Sequence, residues 1–175
     1  MNAHAFDKKI FRRALAALVG REVEHTEVVT LVEQWMDSGR NGLLLMGSVG
    51  TGKTTLAYAI RRAWTDYLTI ARVYKCDWVA DQIRRDETWV HEVSSCRGLL
   101  ILDDFGTEQK VWGNESILPI IFHRYENRQP LVITTNLNNQ LLQERYGERI
   151  ADRLREFSQV RFVVIIIGCL LLYLE

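Results

Sequence analysis

The sequence predicts an α/β fold in which a parallel sheet carries helices on both faces. Three observations lead there. Apolar runs that do not alternate, at residues 43–46 (LLLM) and 99–102 (LLIL), read as strands covered on both sides. Segments of helical periodicity separate the strand signals along the whole chain. The first run also stops at Gly47 and passes through a glycine-rich loop into a helix, an order that belongs to nucleotide-binding parallel sheets.

Composition narrows the class. A chain of 175 residues, 47% hydrophobic and 25% charged, fits one domain with a substantial core. Its 22 basic and 22 acidic residues cancel, so no global field draws it to nucleic acid, and any such contact must come from a local patch. The 3 cysteines are odd in number and lack C-x-x-C spacing, and the 4 histidines lack metal-ligand spacing, which argues against a disulfide framework or a zinc site. The start, MNAHAFDKKIF, has no apolar core of a secretory signal, so a cytoplasmic location is expected.

In chain order, Phe6, Ile10, Phe11, Ala14, Leu15 and Leu18 fall at helical spacing and end at Gly20. A second helix runs from Thr26 through Trp35 and Met36 to Ser38-Gly39. The first strand covers 42–46, and the helix after the glycine loop covers 54–66. Residues 70–74 suit a strand and 77–85 a helix with Asp77 as N-cap; 89–96 continues as a short helix, and 99–102 is the next strand. The helix at 116–125 tolerates Pro119 only in its first turn. A strand at 131–134 follows, then a helical region at 140–157 broken around Gly147, and a β-branched strand at 160–167.

Residues 47–54, GSVGTGKT, fit G-x-x-x-x-G-K-[ST]. Gly47, Gly50 and Gly52 let the backbone come close to phosphate, so the amides of Gly47, Ser48, Val49, Gly50, Thr51, Gly52, Lys53, Thr54 and Thr55 form the candidate cradle for ATP. The helix start adds partial positive charge, Lys53 reaches the β and γ phosphates, and the Thr54 hydroxyl ligates Mg²⁺. About fifty residues on, Asp103 and Asp104 stand at the carboxyl end of a buried strand, the ligand-binding end of a parallel sheet. Asp103 suits the metal and Asp104 the attacking water. Asp104 is a methylene shorter than the Glu common at that place, which predicts slow hydrolysis. Asn136, after PLVITT, can orient the same water, although Asn also suits a loop start.

Arg145, Arg149 and Arg153 recur one helical turn apart. Glu148, Asp152 and Glu156 each follow one of them by three residues, so solvated ion pairs and a guanidinium reaching a neighbour's γ-phosphate are both compatible with the pattern.

The segments GLLLMGSVGTGKTTLA, LLILDDFGTE, HRYENRQPLVITTN and YGERIADRLRE, in this order, resemble the AAA+ ATPases of the bacterial helicase-loader and transposition-helper group, DnaC/DnaI-like and IstB-like. The resemblance covers residues 41–157. It implies a Walker A loop at 47–54, Walker B acids at Asp103 and Asp104, a sensor-1 Asn136 and an arginine finger within residues 149–153, Arg153 first. It also implies a homo-oligomer that completes each ATP site between subunits, binds single-stranded DNA, and serves a replicative helicase or a transposase. Arg72, Tyr74, Lys75 and Trp78 mix cations with aromatics, which suits a single-strand groove, although Tyr and Trp there equally suit the core. A P-loop small-molecule kinase and a non-hydrolysing, ATP-locked adaptor are the rival readings.

Domain organisation follows as a short N-terminal helical segment at 1–22, an AAA+ domain at 23–168 and an apolar tail at 169–175. The uncharged run at 162–174 is shorter than the roughly twenty residues a bilayer helix needs, so a membrane anchor is not expected.

Overall fold

A computed structural model describes residues 6–23, 26–66, 68–109, 117–157 and 163–166. Strands β1 (Gly42–Gly47), β2 (Arg72–Lys75), β3 (Leu100–Phe105), β4 (Leu131–Thr135) and β5 (Val163–Ile166) form a 5-stranded sheet in the order β2-β3-β4-β1-β5. Every pairing is parallel, with Leu44 opposite Ile133 and Ile101 opposite Val132.

The helices divide the sheet's two faces between them. On one face Leu43 and Leu45 of β1, Ile101 and Val132 meet α1 (Lys8–Val19), α2 (Glu27–Asp37) and α3 (Lys53–Ala63) through Phe11, Leu15, Trp35, Leu56 and Ile60. On the other, Leu44, Met46, Leu100, Leu102 and Ile133 meet α4 (Cys76–Arg85), α5 (Thr88–Ser94), α6 (Leu118–Glu126), α7 (Asn139–Tyr146) and α8 (Glu148–Phe157). Successive strand residues point to opposite faces, and both faces are buried, so the strands carry unbroken apolar runs.

Local chemistry sets the helix ends. Asp7 caps α1 by accepting from the Lys9 and Ile10 amides, and Gly20 closes it in the left-handed region. Thr26 caps α2 and Asn138 caps α7 in the same manner. Pro119 sits in the first turn of α6, as its missing N–H requires. Gly147 separates α7 from α8. The helix of the 1–22 segment lies in the core, with Phe11 fully buried against the α3 layer.

Three expectations shift. β3 runs past the expected end at 102 to Phe105, and the acid pair lies at its carboxyl end as expected. β2 is displaced to Arg72–Lys75 and passes straight into α4, which makes Lys75 the capping position. Asp77, expected as N-cap, therefore lies in the first turn of α4 and accepts from the Trp78 amide at 2.7 Å. Residue 116, the parts of the last strand outside 163–166 and the tail at 169–175 lie outside the described residues. Among the described residues no helix is long and apolar enough to cross a membrane.

At the amino-terminal edge of the sheet Arg124 is completely buried. It donates to the carbonyls of Cys96 (2.9 Å) and Pro130 (2.8 Å) and to that of Gly98, tying the approaches to β3 and β4 together.

Candidate nucleotide site

The opposite, carboxyl edge of the sheet gathers the predicted residues. β1 ends at Gly47, and α3 begins at Lys53 after a left-handed Gly52 with φ of 91° and no side-chain cap. Uncapped, the first N–H groups of α3 remain turned toward the loop, which is what an anion needs. A Cβ on Gly50 would meet nothing within 4 Å, so its φ of 82°, not crowding, selects glycine there. The Thr51 hydroxyl donates to the Ser48 carbonyl at 2.9 Å and holds the loop's curvature.

Lys53 is 4% exposed, and its ammonium donates to the carbonyls of Gly47 (2.9 Å) and Ser48 (2.7 Å). Phosphate oxygens would replace these acceptors with charged ones. Burial pulls the Lys53 ammonium below its ordinary range, while Asp104 and Asp103 oppose that shift.

The Thr54 hydroxyl lies 3.0 Å from Asp103 Oδ1. Asp103 is 1% exposed and also accepts from the Thr134 hydroxyl at 2.7 Å. Next to it, Asp104 has a φ of 59°, a left-handed conformation that costs a non-glycine residue about 1–2 kcal/mol. The irregularity coincides with a register break between Leu102 and Phe105 in the β3–β4 ladder. Asp104 is partly exposed, with Lys75 Nζ 4.0 Å from its carboxylate. Burial and the charge on Asp103 raise its carboxyl above the usual range, against the pull of Lys75 and Lys53.

For Mg²⁺, the Thr54 hydroxyl and the Asp103 carboxylate form a hard oxygen pair of the right chemistry. Among the described residues no group of three or more His, Cys, Asp or Glu side chains could hold a metal, so the other ligands would be phosphate oxygens and water. The residues present fit that ion.

Asn136 follows β4 and lines a cavity of about 410 Å³ together with Gly47, Ser48 and Asn138. Its approach is pinned by Thr135, whose hydroxyl donates to the Phe105 carbonyl at 2.6 Å and accepts from the Leu137 amide at 3.1 Å.

The three arginines have separate fates. Arg145 is paired with buried Glu108 at 3.7 Å, and Glu108 also accepts from the Tyr146 hydroxyl and the Gly106 amide. Arg153 is half-buried with its guanidinium on the Phe122 ring. Arg149 is exposed. The i,i+3 pairs that would account for the stripe do not form among the described residues, and Asp152 pairs with Arg155 instead.

Arg72, Tyr74, Lys75 and Trp78 come together on the edge strand β2 and the start of α4. Tyr74 and Trp78 stack with ring centres 5.7 Å apart, and Trp89 meets Trp78 edge-on.

Sequence reasoning missed Thr134, Glu108 and the contact of Lys75 with Asp104. Two signals were available: a hydroxyl residue closing an apolar strand (LVIT) and an acid two residues beyond Gly106.

No protein-family model matches the chain, and no curated protein matches it. Solved structures do. The DnaC helicase loader is 26% identical, with a TM-score of 0.62 over 73% of this chain and 78% of that one. DnaI is 20% identical with a TM-score of 0.62 over 91% and 93%. The replication initiator DnaA bound to AMPPCP and single-stranded DNA is 20% identical, with a TM-score of 0.65 over 93% of this chain and 51% of DnaA. The chain thus has the AAA+ type P-loop fold, and in structure it resembles helicase loaders and the corresponding part of DnaA.

Proposed function

From the AAA+ fold it shares with helicase loaders, we propose that this protein binds ATP with Mg²⁺, hydrolyses it slowly at subunit contacts of a homo-oligomer, and acts on single-stranded DNA with a replicative helicase. The observation that carries the reading is the 3.0 Å contact between Thr54 and Asp103, beside a loop whose buried lysine lies on its own carbonyls.

In this reading the loop amides and Lys53 hold the triphosphate, and Thr54 and Asp103 hold Mg²⁺. That ion would neutralise charge on the β and γ oxygens. Asp104 positions the attacking water and draws off its proton, with Asn136 fixing the water's orientation. Arg149, rather than the Arg153 expected first from the sequence, is the finger offered to the adjoining subunit, since Arg149 is exposed whereas Arg153 rests on Phe122. Two structural neighbours, the DnaC helicase loader and DnaA bound to single-stranded DNA, support the choice of partners.

Asp104 favours one second reading, the ATP-locked adaptor, because it is short, its carboxyl is raised, and Lys75 stands 4.0 Å away. One experiment separates them: phosphate release and particle mass with ATP, Mg²⁺ and single-stranded DNA. Slow release together with ATP-dependent oligomers supports the ATPase. Oligomers without release, from wild type and Asp104→Asn alike, support the adaptor.

A further inference from the structure

We propose that Thr134 is a positioning residue for this site, one hydroxyl that ties the metal-binding carboxylate of Asp103 to the left-handed backbone of Asp104. The inference rests on the ATPase reading for its kinetic consequence, but not for its structural content.

Thr134 is fully buried in β4, directly after Val132 and Ile133, where valine would satisfy packing equally well. Its hydroxyl instead makes two bonds to the acid pair. The Asp104 amide donates to Thr134 Oγ1 at 2.8 Å, and Oγ1 lies 2.7 Å from Asp103 Oδ1. An amide can only donate and an ionised carboxylate can only accept, so the hydroxyl accepts from the first and donates to the second. The resulting chain runs one way, Asp104 N–H to Thr134 to Asp103, and each bond polarises the next.

Both ends matter for chemistry. On Asp103, Oδ1 receives Thr134 and, at 3.0 Å, Thr54, which fixes the carboxylate's rotation beside the hydroxyl suited to the metal. On Asp104, the accepted amide lies at the register break where φ reaches 59°. Strand pleating alone would send adjacent side chains to opposite faces. The kink interrupts that alternation, with Asp103 held at Thr54 and the Asp104 carboxylate 4.0 Å from Lys75. Removing the acceptor leaves a strained residue with an orphaned amide, and relaxation into the pleat turns Asp104 away.

The test is a graded series, Thr134→Ser, Thr134→Cys and Thr134→Val, read in three ways. Amide exchange of Asp104 in the ligand-free protein should be slow in wild type and Ser, and faster by about tenfold or more in Val. The Mg²⁺ concentration that half-saturates ATP binding should rise about tenfold in Val, while Mg²⁺-free ATP affinity stays within about threefold. Turnover should fall about tenfold or more with KM for ATP little changed, and Ser should restore it. Cys, a weaker donor of similar size, should fall between, and it carries the test should Val not fold. Equal exchange rates and equal Mg²⁺ requirements across the series overturn the proposal, as does a Ser variant that behaves like Val. If wild type releases no phosphate, hydrolysis fails as a reading while the Mg²⁺ requirement still decides Thr134. If wild type binds no nucleotide, the exchange rates decide it alone.

Discussion

Arg153 of α8 places its guanidinium carbon 5.0 Å from the centre of the Phe122 ring on α6, in the same chain. Arg149, one helical turn earlier, is exposed and has no side-chain partner among the described residues. A cation seated on an aromatic face of its own subunit is braced; one in solvent is free to reach across a subunit boundary.

Arg149→Ala is therefore expected to keep ATP affinity within about threefold and to lose turnover by about a thousandfold, the usual scale for a removed finger. Mixing it with Lys53→Ala subunits should restore part of the activity, because each variant then supplies what the other lacks. Arg153→Ala should instead lower stability by about 1 kcal/mol, a few degrees in melting temperature. Loss of turnover in Arg153→Ala at unchanged melting temperature, with Arg149→Ala neutral, would reverse the assignment.

Lys53→Ala should abolish nucleotide binding, seen as loss of ATP protection against thermal unfolding. Its pH dependence has a definite sign. Burial lowers the ammonium's pKa, so in the ligand-free protein Lys53 loses its proton at a lower pH than an exposed lysine. ATP affinity should accordingly begin to weaken on the alkaline side earlier than lysine's ordinary titration would give. An affinity flat up to that ordinary range would contradict it.

The parts of this site that were legible in the sequence are those whose chemistry is local. A glycine loop between an apolar run and a helix, an acid pair closing a buried run, and an Asn after a strand all announce themselves within a few residues. Thr134, Glu108 and Arg124 did not, because each acquires its role from a distant segment. Thr134 serves the acid pair of β3, Glu108 takes Arg145 and Tyr146, and Arg124 takes the carbonyls before two strands. Asp77 misled for a related reason: as a local N-cap signal it was sound, but β2 continues to Lys75 and leaves no residue for a cap beyond it. The layering, by contrast, was readable, since strands buried on both faces cannot alternate.

Asp104→Asn should cut phosphate release by about a hundredfold or more while ATP binding persists. Stability moves the other way. The Asp104 carboxyl is raised by burial and by Asp103, so its ionised form is disfavoured in the fold. That destabilisation is absent at low pH, sets in as pH rises through the unfolded value, and is complete above the folded one. The Asn variant should melt above wild type at neutral pH, and the difference should vanish on acidification. Wild-type turnover should fall as pH drops, starting above the usual carboxylate range. A variant that melts lower at neutral pH, or a turnover insensitive to acid until that range, would place the strain elsewhere.

Arg124→Met tests whether the far edge of the sheet is held by one side chain. The arginine is 0% exposed and gives its donors to the carbonyls of Cys96, Gly98 and Pro130. Methionine fills much of the volume but leaves the carbonyls of Cys96 and Gly98 without that donor, each costing about 1 kcal/mol or more, while the Pro130 carbonyl keeps the Leu100 amide at 3.1 Å. The guanidinium's own burial, which lowers its pKa, offsets part of this, because removing a poorly solvated cation is favourable. The carbonyls should win, since they lie on fixed backbone before β3 and β4 and cannot turn to a new donor. We expect a loss of about 2 kcal/mol in urea, seen as a lower midpoint with an unchanged slope. Arg124→Lys should rescue little of it, because one ammonium on a flexible stem cannot match a planar fork spread over three acceptors. Nucleotide affinity below the transition should stay at the wild-type value, because the nucleotide loop lies at the other end of the strands. A loss under about 1 kcal/mol would mean that the two strand approaches hold their positions without Arg124.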